Sequence, residues 1–160
     1  MIPRVGTGFD LHRLCRGRPF VLAGVRIPSL TGPLGHSDAD PLSHAVVDAL
    51  LGAAALGDIG EHFPDSDPRW RGTPGPEFLK LTRGILARAG WKPSNVDATI
   101  LCERPKLGAH KRAVAAALAK ALGLPASSVS VKAKTMEGLG EIGKGRAVAA
   151  QAVAVLVRRR

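Results

Sequence analysis

The chain has 160 residues, 45% apolar and 22% charged, with a formal net charge of +10. This length suits one domain with a sizeable core, and no apolar run reaches the roughly 20 residues of a membrane span. Four Phe, two Trp and no Tyr, scattered Lys and Arg, and no helix-turn-helix or zinc-finger spacing argue against nucleic acid as a partner. The charge reads instead as a solvated surface that attracts an anionic substrate. Cys15 and Cys102 form no CxxC pair, and the opening MIPRVGTGF has no secretory apolar segment. Both features point to a reducing, cytoplasmic setting.

Arg4 to Leu14 has a strand's alternation, with Val5, Thr7 and Phe9 separated by small or polar residues. After a turn at Arg16–Pro19, Phe20–Ile27 reads as a second strand, and Pro28–Gly35 as a loop leading to His36 and Ser37. A helix then opens on Asp40–Pro41, an N-cap followed by a proline suited to the first helical position. Leu42, Ala45, Val46, Ala49, Leu50 and Ala53 form its apolar stripe, widened by Val47, Leu51 and Ala54, and it ends near Leu56–Gly57. The stretch Pro64–Pro76 holds four prolines and reads as a long loop of the kind that forms lids, with Trp70 as its anchor.

Glu77–Ala89 is amphipathic, with Phe78, Leu81, Ile85 and Leu86 expected inward. Val96–Cys102 reads as a strand, Ala109–Leu122 as a helix ended by Gly123 and Pro125, and Val129–Ala133 as another strand. The Ala-rich segment Arg146–Val157 suits a buried helix or a long last strand; Val148, Val153, Val155 and Val157 favour the strand. The expected fold is therefore α/β (α+β), a single domain over residues 1–160 with a four- to five-stranded mixed sheet covered by helices on one face.

Two groups of polar residues interrupt these apolar elements. His44 and Asp48, four apart, share one helix face, with Asp40 a turn earlier; by itself this is a hydrogen-bonded core pair. Asp10 and His12, two apart on a strand, also point one way. Together Asp10, His12 and His44 are a two-His, one-carboxylate set that leaves a fourth position open, as in a catalytic divalent site. Zinc is the default; manganese, cobalt and iron stay open on ligand type. His44 in a first helical turn feels a field that favours the neutral imidazole a metal requires. His36 and Ser37 beside a helix start suit a phosphate, or Ser37 and Asp38 merely assist the cap.

GFDLH at 8–12, GHSDADPLSHAVVDALLGAAALGDIG followed by EHFPDSDP at 35–68, RPKLGAH at 104–110 and KAKTMEGLG at 132–140 stand in an order that resembles the 2-C-methyl-D-erythritol 2,4-cyclodiphosphate synthases of the non-mevalonate isoprenoid pathway. The resemblance spans residues 3–157, and the first two blocks are its specific part. It implies that His36 and Ser37 meet the erythritol phosphate, Asp58 and Gly60 the ribose, and Phe63 and Asp65 the erythritol. Asp48 either orients a metal ligand or meets the erythritol hydroxyls. Cys102, Pro105, Lys106 and Leu107 would frame a cytosine pocket largely through backbone, with Lys106 free to reach a phosphate or to stay in solvent. Thr135 and Glu137 would serve the diphosphate, Glu137 as ligand of a second divalent cation, magnesium or manganese. Lys134 and Lys144 complete the implied substrate contacts. The resemblance further implies a homotrimer, sheets facing the three-fold axis, with active sites between subunits.

The implied reaction is intramolecular. The 2-phosphate of 4-diphosphocytidyl-2-C-methyl-D-erythritol 2-phosphate attacks the β-phosphorus and CMP leaves. A phosphate is already a nucleophile, so no Ser–His or Cys–His pair is required, and none is visible. A metal-dependent phosphohydrolase, using metal-bound water on a nucleotide diphosphate, is the rival enzyme; a basic binding protein with a structural metal is the non-enzymatic one. One segment departs from the family pattern. Glu141 stands where a bulky apolar residue is usual, and Lys144 stands near an expected Arg, which puts an isoprenoid diphosphate on the trimer axis in doubt.

Overall fold

Two glycines set the layer spacing. In the computed structural model, which describes residues 2–159, the first strand β1 (Arg4–Arg16) runs directly beneath helix α1 (Pro41–Ala54). A Cβ on Gly6 would collide with the Ala49 carbonyl oxygen, and one on Gly8 with that of Ala45. The helix therefore lies closer to the sheet than any side chain at those positions would permit. This reverses the simple reading of the β1 alternation. Gly6, Gly8, Asp10 and His12 face the helix, whereas Val5, Phe9 and Leu11 are more than half exposed on the opposite face.

The five-stranded sheet has the order β4-β1-β7-β5-β6, where β4 is Thr31–Pro33, β5 Trp91–Leu101, β6 Val129–Lys134 and β7 Ala147–Arg158. Strand β7 runs antiparallel to both β1 and β5, and β6 is parallel to β5. The C-terminal ends of β1, β5 and β6 consequently lie along one edge of the sheet. The Ala-rich C-terminal segment is this central strand: its Ala and Val side chains pack under α1, where small residues fit the close approach. Helices α3 (Gly75–Arg88) and α4 (Lys111–Leu122) complete the layer on the same face.

Three expectations need correction. Phe20–Ile27 is not one strand but a hairpin, β2 (Phe20–Leu22) and β3 (Val25–Ile27), turned by Ala23 and Gly24, both at positive φ. The pair Ala-Gly lacks the usual Asn-Gly signature of such a turn; Ala23 is held there because its N–H donates to the Asp40 carboxylate at 2.6 Å. Helix α3 starts at Gly75, and its buried side chains are Phe78, Leu79, Thr82 and Leu86, with Leu81 and Ile85 only partly buried. It lies between α1 and α4, so it is covered on two sides. The long loop is preceded by helix α2 (Ile59–His62) and is not wholly irregular, since it holds a 3₁₀ turn over Pro68–Trp70.

Because Gly8 abuts helix backbone rather than a flexible side chain, Gly8→Ala should lose roughly 1–3 kcal/mol of stability, the range for overpacking. Urea unfolding measures it; a midpoint equal to that of the unsubstituted chain would show that α1 can lift without cost.

Candidate active site

The site begins with the cap of α1. Asp40 is fully buried and accepts from the amides of Leu42 at 3.0 Å, Ser43 at 3.2 Å and Ala23 at 2.6 Å. Burial, with a smaller push from Asp38, raises its pKa to about 6. Asp40 thus turns into the protein and ties the helix start to the β2–β3 turn; it does not share the open face of His44 and Asp48. Those two are not a core pair either. Both line a cavity of about 350 Å³.

At the bottom of that cavity three donors meet. Asp10 Oδ2 lies 2.8 Å from His12 Nε2 and 3.0 Å from His44 Nδ1, and the two ring nitrogens are 3.4 Å apart. Each imidazole is held from behind. His12 Nδ1 lies 3.0 Å from the Leu34 carbonyl, which can only accept, so Nδ1 carries the proton and the neutral ring presents the Nε2 lone pair. His44 Nε2 lies 3.2 Å from Ser37 Oγ. Gly35 leaves room for the His12 ring, since a Cβ there would stand 3.1 Å from Cε1. Two lone pairs and a carboxylate facing one point repel unless a proton or cation sits among them. Burial works against ionisation of Asp10, but its hydrogen bonds with His12 and His44 outweigh that and hold the carboxyl well below its usual range. Burial likewise opposes a charge on His12, yet the Asp10 bond prevails and raises its pKa above 6.5. The donor set, its spacing and the orienting partners fit a divalent ion.

His36, Ser37, Asp48, Gly60, Phe63 and Asp65 line the same cavity. Asp48 accepts from Ile59 N at 2.8 Å, and burial raises its pKa. Asp58 caps α2 by accepting from Glu61 N at 3.0 Å and is not one of the lining residues. Phe78 and Trp70 also line the cavity. Trp70 does anchor the loop, edge-on to Phe63 with ring centres 5.1 Å apart. The loop is also stitched to the His36 segment by Gly72 N donating to His36 O at 3.1 Å and Gly75 N to Asp38 Oδ2 at 2.7 Å. Among the described residues, no Lys or Arg lines this cavity.

The remaining expected residues gather elsewhere. Cys102, Lys106, Leu107, Lys134 and Thr135 line a second cavity of about 260 Å³ at the ends of β5 and β6. Pro105, after a cis peptide bond, turns the chain beside it. Cys102 Sγ donates to the Arg104 carbonyl at 3.1 Å, and burial pushes the thiol up to about 11. Thr135 Oγ1 donates to Glu137 Oε1 at 2.7 Å. Glu137 sits at φ 51, and the Glu103 carboxylate fixes the turn before it by accepting from Met136 N at 3.1 Å. Asp10, Ala150, Ile100 and Ala133 are aligned across the sheet, so the two cavities are three strands, roughly 14 Å, apart within one chain. Lys144 lines neither; it pairs with Glu141 at 3.8 Å, and Glu141 also faces Arg146 at 3.4 Å.

The family model described as the YgbB family matches residues 3–157. A 2-C-methyl-D-erythritol 2,4-cyclodiphosphate synthase from Dechloromonas aromatica is 52% identical over 155 residues, 97% of this chain and 97% of its own length. The chain belongs to this synthase family. A bifunctional enzyme IspD/IspF of Novosphingobium aromaticivorans is 54% identical over 157 residues, and there the chain spans 41% of the relative's length. A solved synthase in a CDP-bound form superimposes with TM-score 0.89 at 43% identity, covering 96% of this chain and 100% of that one. The five-stranded mixed sheet with helices on one face is thus the synthase fold.

Among the residues hidden from sequence reading, the Leu34 carbonyl and Gly35 carried no recognisable signal. Phe78 was read only as core, and Glu103 was passed over because a single Glu before a turn is unremarkable.

His44→Ala should reduce zinc in the dialysed protein from about one per chain to near none while leaving the fold intact; unchanged zinc content would refute the three-donor site. Because the His12 pKa is raised, its proton persists to higher pH and a metal must displace it. Zinc affinity should therefore be level above that raised value and fall about tenfold per unit as pH drops through it, as competition titration with a chelator would show.

Proposed function

We propose that the chain converts 4-diphosphocytidyl-2-C-methyl-D-erythritol 2-phosphate into 2-C-methyl-D-erythritol 2,4-cyclodiphosphate and CMP, with the His12 cavity holding the reacting phosphates. The observation that carries this is the cavity's charge. Asp10, Asp48 and Asp65 line it without a single Lys or Arg among the described residues, so a polyanionic substrate can enter only together with cations. A zinc ion on Asp10, His12 and His44, with manganese or cobalt as alternatives, would supply Lewis-acid charge to the β-phosphate, and magnesium or manganese on Glu137 would neutralise the diphosphate.

The chain's own residues do the rest. Leu34 and Ser37 hold the two imidazoles in their ligating orientation. His36 and Ser37 receive the 2-phosphate end, and Asp48, Asp65 and Phe63 the erythritol, bringing the nucleophilic oxygen near the β-phosphorus; Asp58 and Gly60 take the ribose. The Pro64–Pro76 loop keeps water out. Backbone at Cys102, Pro105 and Leu107, with Lys106 and Lys134, receives the cytidine end. Thr135 orients Glu137 through their hydrogen bond. Lys144 remains a surface cation in a single chain.

Within one chain the two halves are too far apart to act together, and the β1 face opposite the helices exposes Val5, Phe9 and Leu11. Both points support a homotrimer in which those faces meet and each active site combines the His12 cavity of one subunit with the Glu137 cavity of the next. The absence, among the described residues, of a helix long and apolar enough to cross a membrane and the two free thiols accord with a cytoplasmic enzyme working as one domain. Light scattering should give about 50 kDa, three times 16.7 kDa; a monomer at micromolar concentration would overturn the shared sites.

Orientation of this kind can supply roughly 7–11 kcal/mol of the barrier. In oxygen-18 water the expected products are CMP and cyclic diphosphate in equal amounts, both free of label by mass spectrometry. Label in either, or a linear diphosphate accumulating with CMP, would mean that water is the nucleophile and the site a hydrolase.

A further inference from the structure

The chain carries a net charge of +10, yet among the described residues its proposed catalytic cavity has no Lys or Arg. Four of its 23 Lys and Arg residues converge elsewhere. Where the C-terminal halves of α3 and α4 meet the start of β5 there is a crevice of about 450 Å³, lined by Lys80, Arg83, Lys92 and Arg159 and by no Asp or Glu. Trp91 there is paired with Arg158, and Asp10 with Ala150. Eight residues of β7 separate those rows, placing the crevice roughly 26 Å from the His12 site, at the opposite end of the sheet.

Arg83 is held in the crevice by its own contacts. Arg83 Nη1 donates to the Ala121 carbonyl at 3.1 Å. Its guanidinium lies against Gly123, where a Cβ would stand 2.6 Å from Nη2. Trp91 is almost fully buried, with the Arg4 and Arg158 guanidiniums 4.6 and 4.1 Å from its ring centre, so cations and not an aromatic face are presented. The C-terminal ends of α3 and α4 account for some of this charge, since helix carbonyl ends attract cations. They account for Arg83. They do not account for Lys92, which has no carboxylate within ion-pair distance among the described residues, and Lys80 meets only the solvent-exposed Glu77, at 3.3 Å.

We infer that this crevice is a second ligand site, taking a small anion with two or more phosphate charges. Its volume matches pockets that hold small ligands, and Leu122 and Pro93 give an organic moiety an apolar wall. Cations gathered around a concave surface bind a compact polyanion more tightly than the same charges dispersed over a convex one.

Titration calorimetry of the full-length, zinc-loaded protein with inorganic pyrophosphate at low salt tests this. Two classes of sites per chain are expected, one of which weakens as salt rises. The double variant Arg83→Gln/Lys92→Glu should weaken that class by about tenfold or more, with oligomeric size and turnover unchanged. Arg26→Glu, a remote change that also removes a cation, should leave it intact. A double variant that titrates like the unsubstituted protein overturns the proposal, as does an equal loss with Arg26→Glu, which would mean diffuse attraction. It falls equally if duplex DNA binds through Arg83 and Lys92 and pyrophosphate cannot displace it.

Discussion

The structure depends on the contact between α1 and β1. Gly6 and Gly8 let the helix backbone settle onto the strand, and Asp40 fixes where the helix begins. These constraints leave little freedom to slide or rotate α1, so its first-turn His44 meets the next two residues on the same face of β1, Asp10 and His12. The site is thus a continuation of the core packing. The positions that bring helix and strand together alternate directly into the positions that face the cavity. A substitution that lifted α1 by even an ångström would separate His44 from Asp10 without altering any ligand.

Electrostatics then divides the molecule. Carboxylates and imidazoles line the His12 cavity, where an anionic substrate requires cations, while Lys106 and Lys134 stand in the neighbouring cavity and Lys80, Arg83, Lys92 and Arg159 gather in a crevice at the far end of the sheet. The apparent mismatch between a basic chain and an acidic cavity accords with the candidate metal site of Asp10, His12 and His44 there. An Arg-lined cavity would bind phosphates directly but would repel the divalent ion.

How far the residues themselves revealed this varies by position. Asp10, His12 and His44 were legible because strand alternation and a capped helix start fix their faces regardless of tertiary detail. The last strand was legible from its β-branched residues despite its Ala content. The Phe20–Ile27 hairpin was not, because an Ala at positive φ is held there by a carboxylate seventeen residues later. The α3 stripe was legible in part: Phe78 and Leu86 are buried and Leu81 and Ile85 pack on the core partly exposed, while Leu79 and Thr82 are buried because the helix packs on two neighbours. Thr135 and Glu137 came through family resemblance alone; nothing in a Thr-x-Glu spacing specifies a cation. The Leu34 carbonyl and Gly35 act through backbone and through the lack of a side chain.

The central claim is that each active site joins the His12 half of one subunit to the Glu137 half of another. Subunit mixing tests it most directly. His44→Ala and Glu137→Gln chains, each inactive alone, are unfolded, combined in equal amounts and refolded, and turnover is measured. Random reassembly should restore about a quarter of the unsubstituted activity, because one site in four then draws both intact halves from different chains. Activity that stays at the level of the separate variants would place both halves in a single subunit and contradict the account.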